Sequence, residues 1–312
     1  MSAPRVEGGS ARLPHPRFSI VTASFNQAEF LRETLRSVRD QGRTDVEHLV
    51  LDGGSTDGSV EILREHEVSL AYWVSAPDAG QPAAWNEGLR RARGDILGFI
   101  NSDDVLEPGA LDEIARLADA DPSADWLIGG TKYFGEGSGN LSYPGLAPKR
   151  ASDVLYFETY TPQPGQFLRR RLVERVGEFD ESLPFAFDLE YFVRCALSGA
   201  RAAATSRVVA AFRFHGESKT MVSRDRQLTE TRMVEERWWP QVLRREGVRA
   251  RYARQRFHGR LALGEARAAG HGIAAWRLLA QAAFDYPTMI PTRAFGGTVQ
   301  RILGLRRGRS EP

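Results

Sequence analysis

The sequence predicts an α/β domain built on a mostly parallel central sheet with helices on both faces. Short apolar, β-branched runs alternate with segments of helical period through the first 120 residues, the pattern expected of strands buried on both sides. The segments after those runs are rich in Asp, Gly, Ser and Asn, and open α/β sheets bind ligands beyond the carboxyl ends of their strands. With 42% hydrophobic and 26% charged residues in a chain of 312, there is material for a sizeable core, which excludes a disordered chain.

Phe18 to Ala23 reads as a strand, and the helix after it sets Leu31, Leu35 and Val38 on one face. Glu47 to Leu51 is a strand, Ser59 to His66 a helix, Leu70 to Val74 a strand and Gln81 to Ala92 a helix. Asp95 to Ile100 is the next strand, and Pro108 opens a helix that runs to Ala118. Trp126 to Thr131 reads as a strand, Arg170 to Val176 as a helix closed by Gly177, Phe187 to Leu197 as a helix, and Ala202 to Phe214 as one or two return strands. The chain therefore divides into a flexible leader (1–16), an α/β domain (17–220) and a basic, mainly helical extension (221–312).

Several function classes fall away. No apolar run approaches the roughly 20 residues that cross a bilayer, and Met1 to Arg17 lacks the apolar segment of a signal peptide. A single cysteine, Cys195, excludes an internal disulfide and a multi-cysteine zinc site, and points to a reducing, cytoplasmic setting. From Gln241 onward fourteen Arg face four carboxylates, so an acidic body carries a basic tail. Val299, Ile302, Leu303 and Leu305 against Arg301, Arg306, Arg307 and Arg309 suit either a basic helix at the anionic inner face of a membrane or an extension packed on the body. No nucleic-acid-binding module is present.

The chemistry concentrates in the loops. Asp103 and Asp104 follow a strand directly, and adjacent carboxylates suit a hard cation such as Mg²⁺ or Mn²⁺ whose shell substrate phosphates complete. The competing reading is that they cap the helix beginning at Pro108. Asp57 is explained as a helix N-cap, whereas Asp52, at a strand end, suits the N–H groups of a nucleobase or ribose hydroxyls. The two commonest nucleotide-binding patterns, G-x-G-x-x-G after the first strand and G-x-x-x-x-G-K-[ST], are both missing. Trp85, Tyr156, Phe157, Tyr160, Phe185 and Phe187 are expected in the core, with Tyr156 and Tyr160 as candidates for stacking on an acceptor sugar.

Between Phe18 and Leu111 stand T-A-S-F-N, D-G-G-S-T-D-G-S, D-A-G-Q-P-A-A-W-N-E-G, A-R-G-D-I-L-G-F-I-N-S-D-D and E-P-G-A-L. This ordered set resembles the family 2 glycosyltransferases, inverting enzymes of the GT-A fold that use nucleotide-sugar donors. The resemblance continues through Pro164 to Arg170, Val176 to Glu181, Phe187 to Tyr191 with Arg194, and Phe212 to His215, covering residues 17 to 220. It implies that Thr22, Ser24 and Asn26 line the donor site, that Asp52 binds the base, and that Gln81 and Asn86 flank the nucleotide. Ser102-Asp103-Asp104 is similar to the family's D-x-D element with Ser in first place; Asp103 would touch the ribose and Asp104 would ligate the metal, with His215 as a further ligand.

Asp188 matches the family's catalytic base, which takes the proton of an acceptor hydroxyl as that oxygen attacks the anomeric carbon. Its alternative role is a first-turn carboxylate favoured by the helix dipole. The resemblance thus implies a hexosyltransferase-like enzyme moving sugar from a UDP-, GDP- or dTDP-sugar to a glycan or lipid-linked acceptor in polysaccharide, glycolipid or cell-envelope glycan synthesis. A sugar-nucleotide nucleotidyltransferase would want a Gly-rich basic loop after the first strand, which Thr22 to Asn26 lacks; a non-catalytic nucleotide-sugar or glycan-binding protein is the other alternative.

Overall fold

The computed structural model describes residues 5–10, 13–139, 141–159, 162–216, 218, 223–270, 272–287, 290 and 292–303. Its chain forms two compact units, residues 1–149 with 159–235, and residues 150–158 with 236–312.

The first unit holds a ten-stranded mixed sheet. Four adjacent strands, β2 (Phe18–Ser24), β3 (Val46–Asp52), β4 (Tyr72–Ser75) and β5 (Ile96–Asn101), run parallel in the order β4-β3-β2-β5. Nearly every residue of these strands is buried, which is why the sequence reads as continuous apolar runs instead of an alternation. Helices α1 (Ala28–Arg39), α2 (Ser59–Glu65) and α3 (Gln81–Arg91) connect them. Alternation along β2 sends Phe18 and Ile20 to one face, where they join the cluster built on α4 (Ala110–Ala120), and Val21 to the other, against Gly88 of α3.

Beyond β5 the order continues β9 (Gln166–Arg169), β7 (Trp126–Gly135), β10 (Ala202–Phe214) and β6 (Val105–Leu106), with β8 (Ser142–Tyr143) on β7. β9 runs antiparallel to both neighbours, while β7 and β10 are parallel. Two expectations change and one is narrowed. Val6–Gly8, within the segment read as a flexible leader, forms β1 and pairs antiparallel with β4; its three residues are too few to carry a strand signal. Ala202–Phe214 is one strand with bulges at 204–210, not two. The helix expected from Pro108 begins at Ala110, because Gly109 adopts a left-handed conformation at φ 71°. Helices α6 (Arg170–Val176) and α7 (Phe187–Leu197) complete the unit, and α8 (Arg224–Glu246) is shared by both units.

The second unit contains α5 (Ala151–Leu155), α9 (Val248–Ala268), α10 (Ile273–Asp285) and α11 (Arg293–Ile302). Its core joins Leu263, Ala266, Ala275, Leu279, Ala282 and Ile302, with Val299 packed against it. The apolar side of the last helix therefore faces its own unit. Leu305, Arg306, Arg307 and Arg309 lie outside the described residues.

Candidate active site

A cavity of about 580 Å³ opens at the carboxyl ends of β2, β3 and β5. That position follows from the parallel topology, since the loops after β2, β3 and β4 each leave a strand at this rim and enter a helix. Of the site residues expected from sequence, Ser24, Gln81, Ser102, Asp103 and Asp188 line it. Asp188 comes from the first turn of α7, so a helix start on one element and a strand end on another contribute carboxylates to a single cleft.

The α7 start is held from outside the sheet. Glu230 of α8 accepts hydrogen bonds at Oε2 from the backbone N–H groups of Phe185 and Ala186, at 2.7 and 2.9 Å, which fixes the loop ahead of Asp188. Phe185, Phe187 and Trp85, expected in the core, line the cleft. Trp85 packs on Phe99, Phe179 and Phe187 with centroids 4.9 to 5.3 Å apart, so its ring is both core and wall. Four lining residues bring a buried polar atom with no hydrogen-bond partner among the described residues, namely Ser24 Oγ, Gln27 Oε1, Trp85 Nε1 and Gln163 Oε1. Such a wall suits a polar ligand.

The paired acidic residues differ in burial and in what they face. Asp104 is fully buried and off the cleft; the Arg213 N–H donates to its Oδ1 at 2.9 Å and Asn101 Nδ2 to its Oδ2 at 3.2 Å. Burial first, and the neighbouring Asp103 charge second, push its carboxyl well above the usual carboxylate range. Asp103 faces the cleft, with His215 Nε2 3.0 Å from its Oδ2. Of the pair, Asp103 and not Asp104 lines the cleft. The turn after β5 leaves the first carboxylate facing the cleft and rotates the second into the strand ends. Asn101, two residues before Asp103, also lines the cleft and accepts a hydrogen bond at Oδ1 from Gln81 Nε2 at 2.5 Å.

Other residues expected at the donor site make hydrogen bonds to neighbouring segments and do not line the cavity. Asp52 is buried, accepting at Oδ2 from the Gly54 and Ser55 N–H groups and the Ser75 hydroxyl, and at Oδ1 from the Ser55 hydroxyl. These partners lie on its own loop and at the end of β4, and Asp52 does not line the cleft, whereas the neighbouring Gly53 does. Thr22 is buried against His48. Asn26 links two loops, its N–H donating to Ser55 Oγ while its Oδ1 accepts from the Thr56 N–H. Asn86 ties α3 to the 179–181 turn through Phe179 and Glu181. Tyr156 belongs to the second unit, buried against Trp239 and Phe257, so it provides no acceptor platform in this cleft; Tyr160 lies outside the described residues.

Residues 19–177 match the family model described as Glycosyl transferase family 2, across just over half of the chain. The chain belongs to the family 2 glycosyltransferases. Relatives agree with that placement. An uncharacterized glycosyltransferase of Mycobacterium tuberculosis is 33% identical over 186 residues, covering 58% of this glycosyltransferase and 70% of the relative. The O-antigen biosynthesis protein RfbC of Myxococcus xanthus is 34% identical over 174 residues, 53% of this chain but 13% of RfbC.

Among solved structures, S. aureus TarS 1-349 in complex with UDP-GlcNAc superposes with a TM-score of 0.57 at 22% identity, over 70% of this glycosyltransferase. The chain spans 65% of that TarS chain, just under two thirds. The mannosyltransferase PcManGT from Pyrobaculum calidifontis, in complex with GDP-Man and Mn²⁺, gives 0.57 at 21% identity, over 93% of this chain and 85% of its own. These likenesses establish the GT-A fold of this glycosyltransferase.

Proposed function

We propose that the cleft transfers a hexosyl unit from a nucleoside-diphosphate-sugar to an acceptor hydroxyl with inversion at the anomeric carbon. The observation that carries this reading is the convergence of Asp103 and Asp188, from separate elements, on one cavity of about 580 Å³, a size within the usual range for a small-molecule site. Neighbours of the same fold bind UDP-GlcNAc and GDP-Man, which supports a nucleotide-sugar as donor.

In this reading Asp188 accepts the proton of the acceptor hydroxyl as its oxygen bonds to the anomeric carbon and the bond to the diphosphate breaks. One displacement on the face opposite the leaving group inverts the centre, so no second nucleophile is needed. Glu230 keeps Asp188 in place through the Phe185 and Ala186 N–H groups. Trp85, Phe185 and Phe187 exclude water from the reacting atoms.

Asp103 and His215 are the donors suited to a divalent cation, Mg²⁺ or Mn²⁺. No group of three His, Cys, Asp or Glu that could hold a metal occurs among the described residues, so two protein ligands fit a hard cation that substrate phosphate oxygens complete. Bound there, the cation would offset charge on the departing diphosphate. The Mn²⁺ complex of PcManGT supports this assignment.

The catalytic domain in this proposal covers residues 17–220, with the 221–312 helices as an accessory region. The acceptor is a glycan or lipid-linked hydroxyl in cell-envelope glycan synthesis, met at the cytoplasmic membrane face, with the arginine-rich C-terminal region at the anionic surface. RfbC, an O-antigen biosynthesis protein, supports the envelope setting. No helix among the described residues is long and apolar enough to cross a membrane.

The test is donor turnover across a panel of UDP-, GDP- and dTDP-sugars with Mn²⁺ or Mg²⁺. Asp188→Asn should lower kcat by about 10² to 10⁴ while leaving donor Kd near its starting value. Asp103→Ala should abolish the metal-dependent rise in Tm with donor. Unchanged turnover in Asp188→Asn would remove the base assignment.

A further inference from the structure

We propose that α10 seats this glycosyltransferase on an anionic lipid surface, with Ile273, Trp276 and Phe284 inserted among the headgroups. The inference rests on the cell-envelope reading above and deepens it by naming the contact face. The sequence pointed to the last helix for such a contact, but Val299 and Ile302 are spent inside the second unit. An apolar side for lipid has to come from elsewhere in that unit.

The helical period sorts α10 into two sides. Ala275, Leu279 and Ala282 point into the core of the unit. Ile273, Trp276, Arg277, Ala280 and Phe284 follow one another at i, i+3, i+4, i+7 and i+11, which places them within an arc of about 100° on the opposite side. All five are exposed; Ile273 is 75%, Trp276 40% and Phe284 83% accessible. A surface helix ordinarily turns its polar residues outward. Here the outward arc carries three large apolar side chains, one Arg and no carboxylate.

Charge decides what covers it. From Gln241 onward fourteen Arg stand against four carboxylates, and Arg249 and Arg251 of α9 and Arg293 and Arg301 of α11 are exposed. A second copy of this chain would bring the same positive charge to the contact and be repelled. Residues 304–312 of the chain hold one large apolar residue, Leu305, and three Arg, too little apolar surface to cover the stripe and the wrong sign beside Arg277. An anionic bilayer matches both features, with headgroup phosphates for the arginines and an interfacial layer that favours Trp and Phe. With 13 residues and its other side in the core of its own unit, α10 lies along such a surface instead of crossing it.

Co-sedimentation of the full chain with lipid vesicles tests this. The protein should bind phosphatidylcholine vesicles containing about 30% phosphatidylglycerol, and bind pure phosphatidylcholine about tenfold or more weakly. Ile273→Ser, Trp276→Ser and Phe284→Ser together should weaken partition about a hundredfold, and Phe284→Ser alone about tenfold. Val68→Ser, which removes an apolar side chain 82% exposed in the first unit, should leave it unchanged. The Tm of each variant shows that the fold is kept. With bromine-labelled acyl chains the wild-type fluorescence should be quenched, and Trp276→Phe should bind equally well with that quenching lost. Wild-type partition in the triple variant, or quenching that survives Trp276→Phe, overturns the assignment to α10. A dimer dispersed by the triple variant, without vesicle binding, gives the face to a second copy and overturns the proposal as well. Failure of the wild type to bind the anionic vesicles overturns it directly, while donor turnover measured without vesicles decides the nucleotide-sugar reading separately.

Discussion

His48 makes the stability of the sheet depend on pH in a way that can be isolated. It lies on β3, fully buried, with Nε2 2.9 Å from the Thr22 hydroxyl of β2, and desolvation lowers its pKa from 6.5 to about 3. The native state therefore keeps the ring neutral where the unfolded chain takes up a proton. Between pH 6.5 and 3 the unfolded state binds more protons, so the contribution is present above 6.5 and is lost as pH falls. One proton is worth about 1.4 kcal/mol per pH unit, and because the unfolded ring is only half protonated at pH 6.5, the loss from this group between pH 6.5 and 4.5 is about 2.3 kcal/mol. Against a total stability of roughly 5 to 15 kcal/mol that is a large share. Urea unfolding at half-unit pH steps measures it, with His48→Gln as the comparison because a Gln amide still reaches the Thr22 hydroxyl and does not titrate. The variant should lose most of the slope between pH 6.5 and 4.5. A variant with the wild-type slope would show that another group carries the pH dependence and that His48 is not held neutral.

Further consequences of the packing can be checked in the same way. At Gly88 an added methyl would stand 2.3 Å from Val21 Cγ1, so Gly88→Ala should lose about 1 to 3 kcal/mol in urea unfolding; combined with Val21→Ala, the two losses should be clearly less than additive. Asn86→Ala removes three hydrogen bonds to the 179–181 turn and strands the Phe179 N–H, for an expected loss of about 2 to 4 kcal/mol. Asp52→Ala should lower the Tm by several degrees, because Asp52 holds both its own loop and the end of β4.

The parallel core was legible because strands buried on both faces leave a compositional trace that survives without any alignment. Phe18 to Ala23 and Glu47 to Leu51 were placed to within a residue or two of β2 and β3. β1, β6 and β8 have two or three residues each and exist only because a neighbouring strand offers an edge, so nothing local could announce them. The antiparallel β9 was invisible for a related reason: its four residues enter the sheet from a turn at Gln163–Gly165, and pairing direction is set by the path of the chain. Glu230 was out of reach because its partners are backbone N–H groups 44 and 45 residues away.

In the site, the residues expected from sequence fall on the loops that form the cleft, but only some of them line it. A strand end is where side-chain alternation gives way to a turn, and a one-residue change in rotation exchanges an inward brace for an outward ligand. Asp52 and Asp104 turned inward, and the residues after and before them, Gly53 and Asp103, turned toward the cleft. The outward set has an electrostatic consequence: among the described lining residues stand Asp78, Asp103 and Asp188 and no Lys or Arg. A diphosphate brought to such a wall meets repulsion unless a cation arrives with it. Donor affinity in this cleft should therefore fall steeply on chelation with EDTA, whereas a nucleoside lacking phosphates should bind with the same affinity with or without the metal.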